Sequence, residues 1–181
     1  MPIYFVTSNP NKVREAEAIL QKKLNKISLD IPEIQTLEAE EVVKDKAKKA
    51  YQKIKKPVLV EDTAFHIHSL NNFPGALIKW ALQTLKNDGI CNLPLNNKRK
   101  ATVKTCFCLY NGKKFHIFQG QLSGKVARKP RGTTNFGWDP IFIPQGQKKT
   151  FAEMTSEQKN KISMRCLALK KLKKFLEKIK N

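Results

Sequence analysis

Between residues 57 and 60 the chain reads Pro57-Val58-Leu59-Val60 without a polar side chain, then changes abruptly to Glu61-Asp62-Thr63. An apolar run that does not alternate cannot be one face of a half-solvated strand. It describes a strand covered on both sides, as in sheets with helices packed against both faces. The expected class is therefore α/β. Ligands of open α/β sheets gather beyond the carboxyl ends of the strands, and the two acids arrive where this strand is expected to end. Asp62 is placed to hold a hard cation: magnesium prefers oxygen ligands and keeps several waters, so one or two carboxylates plus substrate phosphates suffice. The competing reading is a capping or turn acid, a frequent role for Asp-Thr after a strand.

Two further segments suit a nucleotide. Pro2 to Thr7 is apolar enough for a buried strand, and Ser8-Asn9-Pro10 then opens a helical pattern with Val13, Ala16, Ile19, Leu20 and Leu24 on one stripe. Asn9 fits an N-cap and Pro10 the first helical position. Unpaired backbone N–H groups at such a start attract anions, and Lys12 adds a full charge within the first turn. Further on, Phe136-Gly137-Trp138-Asp139 runs through Pro140 into Ile141-Phe142-Ile143. An exposed aromatic pair with a Gly and a carboxylate beside it can stack on and read a flat heteroaromatic ring. A core Trp at a strand entry is the alternative.

In the remainder, Glu38 to Lys55 reads as a helix carrying Lys46, Ala76 to Leu85 as another, and residues 86 to 100 as a polar loop. Ala101 to Tyr110 alternates as a strand, with Asn111-Gly112 turning it into Lys113 to Phe118. Arg128 to Asn135, basic and Gly/Pro-containing, is expected to be a mobile loop beside the base pocket. Thr155 and Gln158 form a capping box before a single helix with Ile162, Cys166, Leu169, Leu172, Leu176 and Ile179 on its stripe. Lys170, Lys171, Lys173, Lys174, Lys178 and Lys180 cover the outer face of that helix. The histidines fit packed or surface roles, and no Ser/His/Asp or Cys/His set suggests a covalent nucleophile.

At 181 residues one domain spanning 1–181 is expected. No run approaches the ~18 apolar residues of a membrane span, and the N-terminus lacks a signal core, so a cytoplasmic address without membrane contact follows. Cys91, Cys106, Cys108 and Cys166 lack metal-ligand spacing and read as reduced, packed thiols. The formal charge of +20, from 35 basic and 15 acidic side chains, exceeds what one triphosphate site requires. A lysine-coated amphipathic helix is more often a solvated face than a nucleic-acid surface, so binding of nucleic acid is not expected, although the charge leaves it open.

Taken together the motifs resemble the inosine triphosphate pyrophosphatase family, which acts on non-canonical purine nucleoside triphosphates. The stretches that carry the resemblance are Thr7-Ser8-Asn9-Pro10-Asn11-Lys12, Asp30-Ile31-Pro32-Glu33-Ile34-Gln35, Leu59-Val60-Glu61-Asp62-Thr63, Pro74-Gly75 through Ile78-Lys79-Trp80, Phe136-Gly137-Trp138-Asp139-Pro140, and Phe151-Ala152-Glu153-Met154 leading to Lys159-Asn160 and Ser163-Met164-Arg165. They occur in the family's order from end to end, and Ile-Lys-Trp after Pro-Gly is similar to the eukaryotic branch. The resemblance implies a mixed twisted sheet with flanking helices, in two lobes around a central nucleotide-binding groove, and a homodimer. It implies hydrolysis of inosine, deoxyinosine and xanthosine triphosphates to monophosphate and pyrophosphate. Thr7, Ser8, Asn9, Lys12, Lys46, Thr63 and Lys79 would face the triphosphate, with Lys12 and Lys46 assisting the chemistry. Glu33 and Asp62 would hold Mg2+, with Mn2+ as a substitute, and Asp62 would also activate the water. Phe136 would stack on the purine, while Gly137, Trp138, Asp139, Lys159, Met164 and Arg165 would close around base and sugar. Three positions depart from the family pattern. Ser8 and Asn71-Asn72 stand where Gly is common, and small Ser and αL-tolerant Asn suit such sites. Met164 replaces a His that helps read the purine 6-oxo group. The related group acting on pyrimidine or methylated nucleotides would open with a Ser-x-Ser-Pro-Arg element, which is absent at 7–12.

Overall fold

A computed structural model describes residues 2–95, 98–134 and 136–179. Strands β1 (Tyr4–Val6), β2 (Asn25–Ile27), β3 (Val58–Ile67), β4 (Pro74–Gly75), β5 (Lys100–Tyr110), β6 (Phe115–Val126) and β7 (Phe142–Pro144) form one sheet. Along its main path the order is β2-β1-β3-β5-β6-β7, with β4 pairing β3. β1 runs parallel to β2 and β3, and the remaining pairs are antiparallel. Helices α1 (Pro10–Leu20), α2 (Ala39–Ile54), α3 (Ile78–Cys91), α4 (Ser156–Ile162) and α5 (Met164–Lys178) flank it. The expected mixed α/β sheet is thus present.

The run at 57–60 is buried on both faces, as its composition required. Val58 and Val60 join a core under α2, with Val43, Ala47 and Ala50. Leu59 points the other way into a core with Phe5, Ala168, Leu169 and Leu172. A third core gathers around Phe65, Trp138, Phe142 and Phe151, beyond the far end of β3. These cores divide the molecule into two lobes.

What opens the space between them is the edge of β3. β5 pairs with β3 along its whole length, from Val58 to Ile67. On the other edge β1 reaches only Val58 and Leu59, and β4 only Phe65 and His66. Residues 60–64 therefore line a split in the sheet. The acids do not lie at the end of the strand, as composition suggested, but in its middle. The chain departs from β1 at the same level, where the Thr7 amide bonds the Ile27 carbonyl and the backbone turns into α1.

Several local expectations are corrected. The stripe beginning at Val13 is helical only to Leu20; Leu24 lies past the helix end but still packs in the same core. The helix at 76–85 begins at Ile78 and continues to Cys91, interrupted at Lys86 (φ 57°, ψ 179°), so the first part of the expected polar loop, residues 86–91, belongs to this helix. The hairpin after Tyr110 needs four residues rather than two, because the Asn111 side chain accepts the amides of Lys113 and Lys114 before β6 starts at Phe115. The C-terminal stripe is two helices: Ser163 ends α4 in extended geometry (ψ 152°) and caps α5 by accepting the Cys166 amide at 3.1 Å. The loop from Arg128 is tied down, with the Arg131 amide on the Pro140 carbonyl and the Thr150 hydroxyl on the Arg131 carbonyl. Asn135 at its end and Lys180 on the basic helix lie outside the described residues. Asn71 and Asn72 do adopt positive φ, 51° and 67°, while Ser8 does not, so neither departure from Gly is strained. All four cysteines are buried and unpaired, and burial pushes the Cys106 and Cys108 thiols up to about 12. They stay protonated and inert near neutral pH.

Candidate active site

The split in the sheet is the floor of a groove of about 790 Å³. All the residues singled out as substrate or metal contacts line it: Thr7, Ser8, Asn9, Lys12, Glu33, Lys46, Asp62, Thr63, Lys79, Phe136, Gly137, Trp138, Asp139, Lys159, Met164 and Arg165. They come from β1, α1, the segment before α2, α2 itself, β3, α3, the turn before β7, and α4–α5. No two-element motif could have displayed that convergence.

At one end, Asn9 caps α1 as its sequence position implied, its side chain accepting the amides of Asn11 and Lys12 at 3.0 and 3.4 Å. This corrects the simple picture of a helix start rich in free N–H groups, since the cap consumes two of them. The Asn9 amide in turn donates to the Thr7 hydroxyl. The positive character of this end therefore falls chiefly on Lys12, whose Nζ lies 3.5 Å from a Glu61 carboxylate oxygen. Across the groove Lys46 reaches Glu33 at 2.5 Å. Burial would raise the Glu33 carboxyl, but Lys46 outweighs it and holds the group below its ordinary value. Lys79 lies at the rim, its Nζ 5.5 Å from the ring of Trp80.

Asp62 is the group without a local solution. Its Oδ2 is buried and has no hydrogen-bond partner among the described residues. Burial raises its pKa to about 6, Lys12 acting against that and Glu33 adding to it. A buried oxygen of this kind costs free energy unless something binds it. No cluster of three or more His, Cys, Asp or Glu side chains suited to a metal exists among the described residues. Two carboxylates facing a groove with room for phosphates nevertheless match the sparse, oxygen-only set that magnesium accepts.

The other end is built on a buried ionic network. Arg165, 2% exposed, directs Nη2 to Glu61 at 2.9 Å and Nε to its second oxygen at 3.2 Å, while Nη1 bonds Glu15. Lys159, also buried, bridges Glu15 at 2.7 Å and Asp139 at 2.5 Å. Burial tends to raise Glu61, but Arg165 and Lys12 prevail and hold it at about 2. Burial wins at Asp139, which rises to about 6 despite Lys159. Glu15 and Glu61 were not anticipated as members of the site. Glu61 stood in a recognised motif, but nothing in it revealed the buried arginine; Glu15 reads as an ordinary solvated helix residue. Because Arg165 gives three of its donors to these carboxylates, it presents only part of its fork to the groove.

The aromatic pair is not a pair in space. Gly137 (φ 56°) turns the chain so that Phe136 stays half-buried at the groove, while Trp138 is 7% exposed and packs edge-on against Phe65 at 5.2 Å and Phe142 at 5.8 Å. The core reading was right for Trp138, which touches the groove only from beneath. Phe136 has Lys159 Nζ 4.7 Å and the Arg165 guanidinium 5.6 Å from its ring centroid. Met164 is 1% exposed under this end. It reaches the groove because the break at Ser163 starts α5 there, and because Gly120 on β6 admits the α5 backbone so closely that a Cβ would collide with the Met164 carbonyl.

The Ham1 family model matches residues 3–175. Among relatives, the inosine triphosphate pyrophosphatase of Fusarium vanettenii is 43% identical over 181 residues, covering 97% of this chain and 96% of its own. The dITP/XTP pyrophosphatase of Thermococcus kodakarensis is 39% identical over 181 residues, covering 98% of each. The solved structure of a HAM1 protein from Coxiella burnetii superimposes with a TM-score of 0.85 at 26% identity, over 98% of this chain and all of that one. With a groove whose lining is drawn from nearly every motif of the sequence and a match running almost end to end, the chain belongs to the Ham1 family.

Proposed function

We propose that this protein hydrolyses inosine, deoxyinosine and xanthosine triphosphates to the monophosphate and pyrophosphate, removing non-canonical purines from the nucleotide pool. The observation that carries the reading is the buried Oδ2 of Asp62, unpartnered among the described residues, in a groove with lysines at one end and a half-buried aromatic at the other. The names of the relatives point to the same substrates. Glu33 and Asp62 would hold magnesium, or manganese in its place; when bound, the ion neutralises phosphate charge and lowers the pKa of water. Asp62, with a pKa near 6, can accept the proton of the attacking water close to neutral pH. The water oxygen forms a bond to the α-phosphorus and the bond from it to the bridging oxygen of the β-phosphate breaks. Lys12 and Lys46 stabilise the charge that gathers on departing pyrophosphate. Phe136 stacks on the base, and the N–H donors of Arg165 not given to Glu61 and Glu15 remain for the purine oxygens. No helix among the described residues is long and apolar enough to cross a membrane. A cytoplasmic homodimer belongs to the same proposal.

The test is release of pyrophosphate from inosine triphosphate with and without magnesium, beside adenosine triphosphate. Metal-dependent release with preference for inosine supports the reading. Inactivity on all three 6-oxo purines in the presence of metal removes it.

A further inference from the structure

Helix α3 does something at Lys86 that its sequence does not require. With φ 57° and ψ 179°, Lys86 occupies a backbone region that is essentially glycine's, although it carries a side chain and lies on an exposed stretch. Such an outlier persists only where the surroundings over-determine it, and it asks what the distortion accomplishes. The helix resumes with Asn87 displaced from the path of the preceding turns. From there the Asn87 side chain donates Nδ2 to the Gly137 carbonyl at 3.1 Å, a link between residues 50 apart in sequence. Its Oδ1 is buried without a partner among the described residues, so the amide is not held there by any other bond of its own.

Gly137 is the residue at which the base-facing turn changes direction. Its φ is 56°, a Cβ built on it meets nothing within 4 Å, and the turn is otherwise closed by the Asp139 amide on the Phe136 carbonyl at 3.0 Å. On its C-terminal side the turn is anchored by Trp138 in the core and Asp139 on Lys159. Its free side, towards the groove, has the Asn87 bond. Both Lys86 and Phe136 line that groove. We infer that Asn87 is a positioning residue: the break at Lys86 delivers its amide to the Gly137 carbonyl, and that bond fixes the turn so that the Phe136 ring is presented to the purine. The inference rests on the nucleotide-hydrolysing reading above. It concerns the base end of the groove: Asn87 bonds the turn beside Phe136, whereas Lys12, Lys46 and Asp62 stand on α1, α2 and β3, and Lys79 stands on the segment of α3 before the break.

The experiment compares wild type with Asn87→Ala and Asn87→Asp, the latter keeping the shape while replacing the donor by a carboxylate. For inosine triphosphate, KM should rise about five- to tenfold in both variants with kcat within about twofold, the effect of losing one positioning hydrogen bond. The inhibition constant of inorganic tripolyphosphate, which has no base, should stay unchanged. Melting temperatures should stay near that of the wild type, because the Asn87 side chain spans two surface elements rather than a core. An unchanged KM in both variants, an Asp variant equal to wild type, or an equal weakening of tripolyphosphate each overturns the inference while leaving the hydrolytic reading intact. A wild type that releases no pyrophosphate from any 6-oxo purine overturns that reading, and the role of Asn87 with it.

Discussion

The Glu61–Arg165 pair allows stability to be perturbed by a change of one heavy atom, Glu61→Gln. Both residues are 2% exposed, and the guanidinium meets both carboxylate oxygens. Removing the charge leaves Arg165 with Glu15 alone and deprives Lys12 of its ion-pair partner. Two routes give the magnitude. Breaking a buried pair by removing one partner costs about 3–5 kcal/mol. The Glu61 carboxyl falls from an ordinary 4.5 to about 2 on folding, which at about 1.36 kcal/mol per pH unit corresponds to about 3 kcal/mol. Gln keeps one acceptor for Arg165, so the lower end, about 3 kcal/mol, is expected. For a chain of this size that is a fall of about 6–12 °C in Tm at pH 7. A group whose folded pKa is depressed contributes its stability above the unfolded value and loses it as pH falls towards the folded one. The difference between wild type and variant should therefore be nearly complete above about pH 4.5 and reduced to less than half at about pH 3. Thermal or urea unfolding of the two proteins across that range is the assay. Equal stability at pH 7, or a gap that does not narrow on acidification, would refute the reasoning.

Asp62→Asn should lower turnover by roughly a hundredfold or more, since an amide can neither take the water's proton nor balance a cation. Because burial opposes the Asp62 charge, the variant should melt no lower than wild type, and near-native kcat would take Asp62 out of the mechanism. Phe136→Ala should weaken nucleotide binding by about 1–3 kcal/mol, the usual worth of base–aromatic stacking, with little effect on tripolyphosphate; a drop in Tm at constant KM would make the ring structural. Met164→His, in a buried position at the base end, should widen the preference for inosine over adenosine triphosphate by up to about tenfold through one added donor. A ratio of kcat/KM values that does not rise would show that position 164 does not set selectivity.

Local signals were legible wherever a residue's role depended on its near neighbours. The unbroken apolar run at 57–60 required cover on both faces, and α2 on one side and α1 with α5 on the other supply it. Asn9, Thr155 and the asparagines at 71–72 act through bonds or φ angles within a few residues, so composition alone determined them. Other features depended on lengths and partners that no local pattern contains. β1 stops after three residues and β4 has only two, so Glu61 and Asp62 end up mid-strand beside a gap rather than at a strand end. An apolar period continues smoothly across Ser163, yet the chain breaks there because Arg165 must enter between Glu61 and Glu15, from strands and helices some hundred and more residues away. Phe136 and Trp138 look equivalent in sequence and are separated by one glycine dihedral. Charged partners decide the rest: burial raises both carboxyls, yet Arg165 and Lys12 hold Glu61 at about 2 while Asp62 rises to about 6, adjacent residues whose side chains leave the strand on opposite faces.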